Sequence, residues 1–284
     1  MTRLFYHFNK LLNPIANDAL YKRFKNAIDP NSFPFFYESK FYIWPCVDLG
    51  CNFYVQNDRL RVALNGVVAE LHNHEEVYIF YEVFYRRQYD FYGIKQPVVL
   101  DIGFNIGFSS IFFAKVRNAV RVYAFEPVHS TMEIGKQNLE LNGLTESKIQ
   151  LFEYGLASAN KSLEVSIDPL KRGSTSLVMS DRFLSNSKSN TEVIVMDVSQ
   201  VFDSLELEAH NVVCKIDCEG GEYEIIQRLA DTNNLRVVLL YLIEWHWVDG
   251  HDYRNLSTIF ESNGYIVSVT QENLKAGFLS AVRK

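Results

Sequence analysis

Apolar residues along this chain fall into short continuous runs that alternate with stretches of helical spacing. Val98 to Asp101, Arg121 to Phe125, Ile149 to Gly155, Asn211 to Asp217 and Arg236 to Ile243 read as five strands. The last is apolar almost throughout, as a strand covered on both faces must be. Helices are expected between them, from Ile106 to about Lys115, from Ser130 to Asn142 and from Glu222 to Leu229. In the second of these Ser130 is the expected N-cap, Glu133 its capping-box partner and Gly143 its stop. Asp252 caps a last helix ending at Asn263-Gly264, and Tyr265 to Thr270 and Gly277 to Val282 follow as two adjacent strands. The alternation predicts an α/β fold whose sheet is mostly parallel and ends in an antiparallel hairpin.

The pattern changes before Val98. Amphipathic segments at Phe5 to Leu12 and Ala19 to Lys25 carry basic residues that would suit weak contact with a membrane surface. Pro14 interrupts them, so packing on their own domain or in a homodimer contact is favoured. Asp29 to Tyr42, rich in Pro, Asn and aromatics, is expected to be irregular, and Asn52 to Val55 with Leu60 to Leu64 to form a hairpin. Asn73 and Glu76 make a capping-box start for a helix whose Val77, Phe80, Tyr81, Phe84 and Tyr85 stripe is read as closing one side of a ligand pocket. The expected organisation is an N-terminal extension over 1–72 and a ligand-binding domain over 73–284. A β-rich insertion at about 157–200 interrupts the second, with runs at Ser162 to Ile167, Thr175 to Met179 and Thr191 to Met196 and a polar loop from Asp181 to Asn190.

The chemistry centres on the turn after the first strand, Asp101-Ile102-Gly103-Phe104-Asn105-Ile106-Gly107. Gly103 and Gly107 allow backbone conformations and a close ligand approach that a Cβ would block. The helix that follows presents free N–H groups to a carboxylate or phosphate. Glu126, before Pro127 at the end of the next strand, stands where nucleotide-binding α/β folds hold ribose hydroxyls. The spacing is neither G-x-G-x-x-G nor a P-loop. An acid two residues before the first glycine would repel a pyrophosphate and favour an ammonium group, directly or through water. Amine near an acid, carboxylate near a helix N-terminus and ribose near Glu126 together describe S-adenosylmethionine.

Three stretches carry a resemblance to a known family: Asp101 to Gly107, Ala124-Phe125-Glu126-Pro127, and Lys215-Ile216-Asp217-Cys218-Glu219-Gly220-Gly221-Glu222. In order and spacing they resemble the signatures of FkbM-type S-adenosylmethionine-dependent methyltransferases, over about Val98 to Lys284. The resemblance implies a class I methyltransferase (Rossmann-like) sheet. It also implies a cofactor site including Asp101, Gly103, Asn105, Gly107, Glu126 and Pro127, with Gly155 and Leu156 lining the adenine. The implied activity is O-methylation of a sugar, polysaccharide or natural product.

Strand ends would bring Asp101, Glu126, Asp217, Glu219, Glu244 and His246 to one edge. A hydroxyl acceptor is a poor nucleophile, so Asp217 and Glu219 are read as facing substrate or cofactor, with His246 or Glu244 as general base. Magnesium could use Asp217, Glu219 and His246, but no tight acidic cluster advertises a site and none is expected. Lys215 shares a covered strand with Asp217 and must be paired, with Asp217, Asp101 or Glu244. The four cysteines, Cys46, Cys51, Cys214 and Cys218, form no C-x-x-C pair and read as small buried residues. A formal charge of −6 argues against nucleic-acid partners. No run is long enough to span a bilayer and no signal peptide is seen, which favours a cytoplasmic protein. An NAD-dependent dehydrogenase or epimerase and a non-catalytic glycan-assembly module are the competing readings.

Overall fold

The computed structural model describes residues 19–167, 189–205, 207 and 210–284, in two compact units, 1–88 and 89–284. The expected runs at Phe5 to Leu12 and Thr175 to Met179, and most of the Asp181 to Asn190 loop, lie outside the described residues. The helix that Asn73 starts belongs to the first unit rather than to the second.

In the first unit, helical residues 19–24 (α1) precede α2 (Pro34–Glu38), α3 (Lys40–Asp48), β1 (Asn52–Gln56), β2 (Arg59–Leu64), β3 (Val67–Leu71) and α4 (His74–Phe80). A π-helical turn, Tyr81–Arg86, continues α4. The stretch expected to be irregular, Asp29 to Tyr42, is therefore largely helical. Pro34 suits the first turn of α2, where an N–H has no intrahelical partner. Phe36 is buried edge-on against Phe24 and Phe53, so tertiary packing overrides weak local propensity. The expected hairpin forms with Asn57 and Asp58 both at positive φ. Asn65-Gly66, a turn of the same chemistry, adds the unanticipated β3. At α4, Asn73 Oδ1 accepts from the Glu76 N–H at 2.9 Å, as expected, while the Glu76 carboxylate reaches back to the His72 amide at 2.7 Å.

The second unit runs β4 (Val98–Ile102), α5 (Phe108–Lys115), β5 (Arg121–Phe125), α6 (His129–Leu141), β6 (Ile149–Phe152), β7 (Gly155–Ala157), β8 (Lys161–Ile167), β9 (Ser189–Asp197) and α7 (Val198–Ser204). It continues with β10 (Val212–Ile216), α8 (Glu222–Asp231), β11 (Val238–His246), α9 (Tyr253–Ser262), β12 (Tyr265–Gln271) and β13 (Ala276–Arg283). Seven strands form one sheet in the order β12-β13-β11-β10-β4-β5-β6, parallel except that β13 runs antiparallel to both neighbours. This is the class I methyltransferase sheet. A smaller sheet, β7-β9-β8, is separate from it.

Two local expectations are corrected. The third strand stops at Phe152, and Gly155 opens β7, where it pairs with Val195 in the smaller sheet. Helix α6 starts at His129 after Val128 with no side-chain cap, because Glu133 bonds Lys136 instead of closing a box with Ser130. Asp252 does cap α9, reciprocally with Asn255.

Burial fixes where the site lies. Every residue of β4 and β10 is buried, and α5 is buried from Phe108 to Ala114, which explains why, apart from Ser109 and Ser110, that stretch is apolar on every side. On α8 the stripe Ile225, Ile226 and Leu229 is fully buried, each side chain contributing about 1.5–3 kcal/mol relative to exposure. Lys215 pairs with Asp101 and Ile216 with Ile102, so the loops leaving β4 and β10 emerge side by side. A Cβ on Gly103, at φ +83, would come within 2.0 Å of the Asp217 carbonyl oxygen. Gly103→Ala is expected to lose more than about 2 kcal/mol of stability. Gly143→Ala, at φ +63 with open space around it, should lose about 1 kcal/mol. Urea denaturation of the two variants checks the difference.

Candidate active site

The loop from Gly103 to Gly107 is held from three sides. The amides of Gly103 and Phe104 both donate to the Phe125 carbonyl, at 3.1 and 2.9 Å. Phe104 turns its ring beneath the loop against Gly107 and Gly135, where added Cβ atoms would stand 2.9 and 2.1 Å from it. Asn138 Nδ2, on α6, donates to the Ile106 carbonyl at 3.0 Å. Helix α5 therefore begins at Phe108, with Gly107 as N-cap at φ +86, rather than at Ile106.

Asp101 anchors the loop from below. Its side chain is fully buried, its Oδ2 accepts from Ser109 and Ser110 hydroxyls at 2.6 Å each, and Lys215 Nζ stands 3.4 Å from its Oδ1. Lys215 donates to the Gly103 carbonyl at 2.6 Å, lies 3.7 Å from Asp217 Oδ2, and sits 5.3 Å from the centre of the Tyr89 ring. Burial opposes its charge, but Asp101 and Asp217 outweigh burial and raise its pKa above the ordinary lysine value. The ion pairing expected of Lys215 is present. Asp101, expected to face a ligand's amine, presents no exposed surface.

Glu126 serves the upper side of the loop. Its Oε2 accepts from the Asn105 amide at 3.0 Å and its Oε1 from the Val128 amide at 2.9 Å. Burial pushes its pKa up to about 7, against the lowering effect of the two amides and of Lys215. Asn105, at φ +52, keeps a buried Oδ1 with no partner among the described residues. Pro127 is half-buried beside Glu126. Gly155 and Leu156 are buried in β7, and Leu156 packs in the core with Ile102 and Phe125.

The remaining predicted residues gather at the ends of β10 and β11. Tyr89 places its hydroxyl 2.9 Å from Asp217 Oδ2 and 3.1 Å from Glu244 Oε2, and its single proton serves one carboxylate at a time. His246 Nδ1 stands 3.2 Å from Oε1 of Glu222, a carboxylate with no exposure, and Nε2 stands 3.6 Å from Glu219 Oε2 and 4.0 Å from Glu244 Oε1. Burial opposes a charge on this imidazole, but Glu222, Glu219 and Asp217 prevail and raise its pKa to about 10. At neutral pH the ring is a cation and a donor, whereas a general base must be neutral. Asp217, Glu219 and His246 offer donor atoms all within 4.8 Å of one another, a tighter cluster than their sequence separation suggested.

Four contributors escaped the sequence reading. Ser109 and Ser110 lie in the first turn after the glycines, so a hydroxyl pair eight and nine residues beyond the acid was a usable signal. Glu222 lay within the third quoted stretch. Tyr89, 128 positions from Asp217, had no local signal.

The family described as the methyltransferase FkbM domain matches residues 101–267, more than half of the chain. Methyltransferase 1 of Beauveria bassiana is 25% identical over 220 residues, covering 69% of this chain and 83% of that protein. The AMB antimetabolite synthetase AmbE of Pseudomonas aeruginosa is 26% identical over 254 residues, 74% of this chain but 12% of that protein. Among solved structures, methyltransferase FkbM of Methylobacillus flagellatus superposes with a TM-score of 0.48 at 14% identity. That match covers 95% of this chain, which spans 58% of that one.

The Glu126 carboxyl gives a pH test of the site. Its pKa rises from an ordinary 4.5 to about 7 on folding, so the folded state holds the proton more tightly. Its contribution to stability is full below about pH 4.5 and is lost as pH rises through about 7, on the order of 3 kcal/mol in all. Glu126→Gln removes this dependence. Denaturation of both proteins from pH 4.5 to 8 should show wild type losing ground to the variant as pH rises.

Proposed function

The chain belongs to the FkbM methyltransferase domain family, and from that premise we propose that it transfers the methyl group of S-adenosylmethionine to a hydroxyl of a sugar, polysaccharide or natural product. The observation that carries this reading is the loop from Gly103 to Gly107 with Glu126 bonded to its Asn105 amide. The residues present fit the cofactor. Glycines stand where a Cβ would crowd the loop, Asn105 offers an acceptor with no partner among the described residues, and the Glu126 carboxylate, already held by two amides and able to accept from ribose hydroxyls, adjoins both.

The proposed division of labour follows from position. Glu126 would hold the ribose hydroxyls, and the loop amides with the N-terminus of α5 the carboxylate end. Bound there, S-adenosylmethionine supplies an electrophilic methyl carbon. Asp217 and Glu244, joined by the Tyr89 hydroxyl, are the groups proposed to orient the acceptor hydroxyl and take its proton. Carboxylates suit this task when the proton leaves as the new bond forms, because they need not deprotonate the alcohol beforehand. Oxygen as the methylated atom is supported by an edge rich in proton acceptors. Among these acceptors, the likeness to a segment of an antimetabolite synthetase supports a natural product.

Calorimetric titration with S-adenosylhomocysteine, with NAD as control, tests the cofactor. Binding at micromolar concentration to wild type, at least about tenfold weaker in Glu126→Gln, is expected. Affinity should fall as pH drops below about 7, where Glu126 takes up a proton. Preference for NAD, or no binding of either, would remove the methyltransferase reading. Transfer of label from methyl-labelled S-adenosylmethionine to nitrogen rather than oxygen in an acceptor screen would remove the hydroxyl.

A further inference from the structure

We propose that Asp217, Glu219 and His246 form a binding site for a first-row transition-metal dication at the edge where the acceptor hydroxyl is expected. The inference extends the methyltransferase reading, but the ion site can be tested without it. The three side chains come from two neighbouring strand ends, and their donor atoms lie within 4.8 Å of one another. The imidazole distinguishes this set from an exposed acidic patch, and its orientation is the second observation. Glu222, fully buried on the first turn of α8, spends Oε1 on the His246 amide at 2.7 Å and on Nδ1 at 3.2 Å, and Oε2 on the Gly220 amide at 2.8 Å. That leaves Nε2 directed at the carboxylates. A buried carboxylate that fixes one ring nitrogen while the other meets ligating oxygens is the arrangement that supports metal-binding histidines.

The spacing agrees. Nε2 is 3.6 Å from Glu219 Oε2, longer than a hydrogen bond. Two donors each about 2.1 Å from one ion stand roughly 3.0–3.4 Å apart, so the His246–Glu219 pair is nearly in place, while Asp217, within 4.8 Å of both, would close on the ion by a change of rotamer. The choice of ion follows from the donors. Magnesium and calcium prefer all-oxygen sets and magnesium releases water reluctantly, whereas one imidazole with two carboxylates suits manganese, iron or zinc. The three side chains remain 13–27% exposed, which leaves coordination positions on the solvent side for a hydroxyl. An ion here would displace the Nε2 proton that the surrounding carboxylates otherwise hold on the ring, and would keep positive charge where that hydroxyl loses its proton.

Manganese is the probe. Electron paramagnetic resonance of free Mn2+ titrated with the full-length protein should show saturable binding of one ion, not displaced by a tenfold excess of Mg2+. Glu219→Gln, on a partly exposed loop and so expected to fold, should weaken binding by at least about tenfold, as should His246→Asn. Titration of the same wild-type sample with S-adenosylhomocysteine reports the methyltransferase reading separately. Absence of saturable Mn2+ binding, equal binding by Glu219→Gln and wild type, or ready displacement by Mg2+ would overturn the proposal, even where the nucleoside still binds.

Discussion

Lys215 donates to the carbonyl of Gly103 while lying between Asp101 and Asp217, and nearly everything at this edge of the sheet hangs from that buried ammonium. It joins β4 to β10 just where both strands end. One side of it fixes the glycine loop and the other steadies Asp217. Such an arrangement is costly to interrupt. Removing one partner from a buried pair leaves an uncompensated charge and costs about 3–5 kcal/mol. Ser109 and Ser110 complete the arrangement by satisfying Asp101 from the first turn of α5, so strand, loop and helix share one polar knot inside an otherwise apolar core.

Above that knot the two halves of the site differ in character. On the Glu126 side, packing dominates: a phenylalanine ring wedged between two glycines and a carboxyl kept near neutrality by burial. On the His246 side, charge dominates: Asp217, Glu219, Glu222 and Glu244 surround one imidazole, and Tyr89 links two of them. The first suits a nucleoside, which needs shape and a few fixed acceptors. The second suits chemistry on a proton. The sheet order places them on adjacent loops because β10 lies between β4 and β11.

Much of this was legible in the sequence, for a physical reason. Buried strands such as Val98–Ile102 and Val212–Ile216 are written as continuous apolar runs, and the turn between strand and helix needs glycine wherever a Cβ would strike backbone, as at Gly103. The pairing of Lys215 followed from the cost of burying a lone ammonium. Less legible were features that depend on distant neighbours. Pro- and aromatic-rich residues around Pro34 became helix because Phe36 had Phe24 and Phe53 to pack against. Gly155 left the main sheet for a strand partner, Val195, forty positions away in sequence. Tyr89 reached Asp217 only through the closed fold, and the charge on His246 depended on a buried Glu222 that looked like an ordinary first-turn residue.

Hydrogen–deuterium exchange with and without S-adenosylhomocysteine tests most directly that the loop over Lys215 is a cofactor site. If it is, added nucleoside should slow exchange at residues 103–107 and 126–128, with smaller changes at the ends of β10 and β11. Slowing confined to the first unit or to the β7-β9-β8 sheet, or none at concentrations that saturate other methyltransferases of this fold, would contradict it.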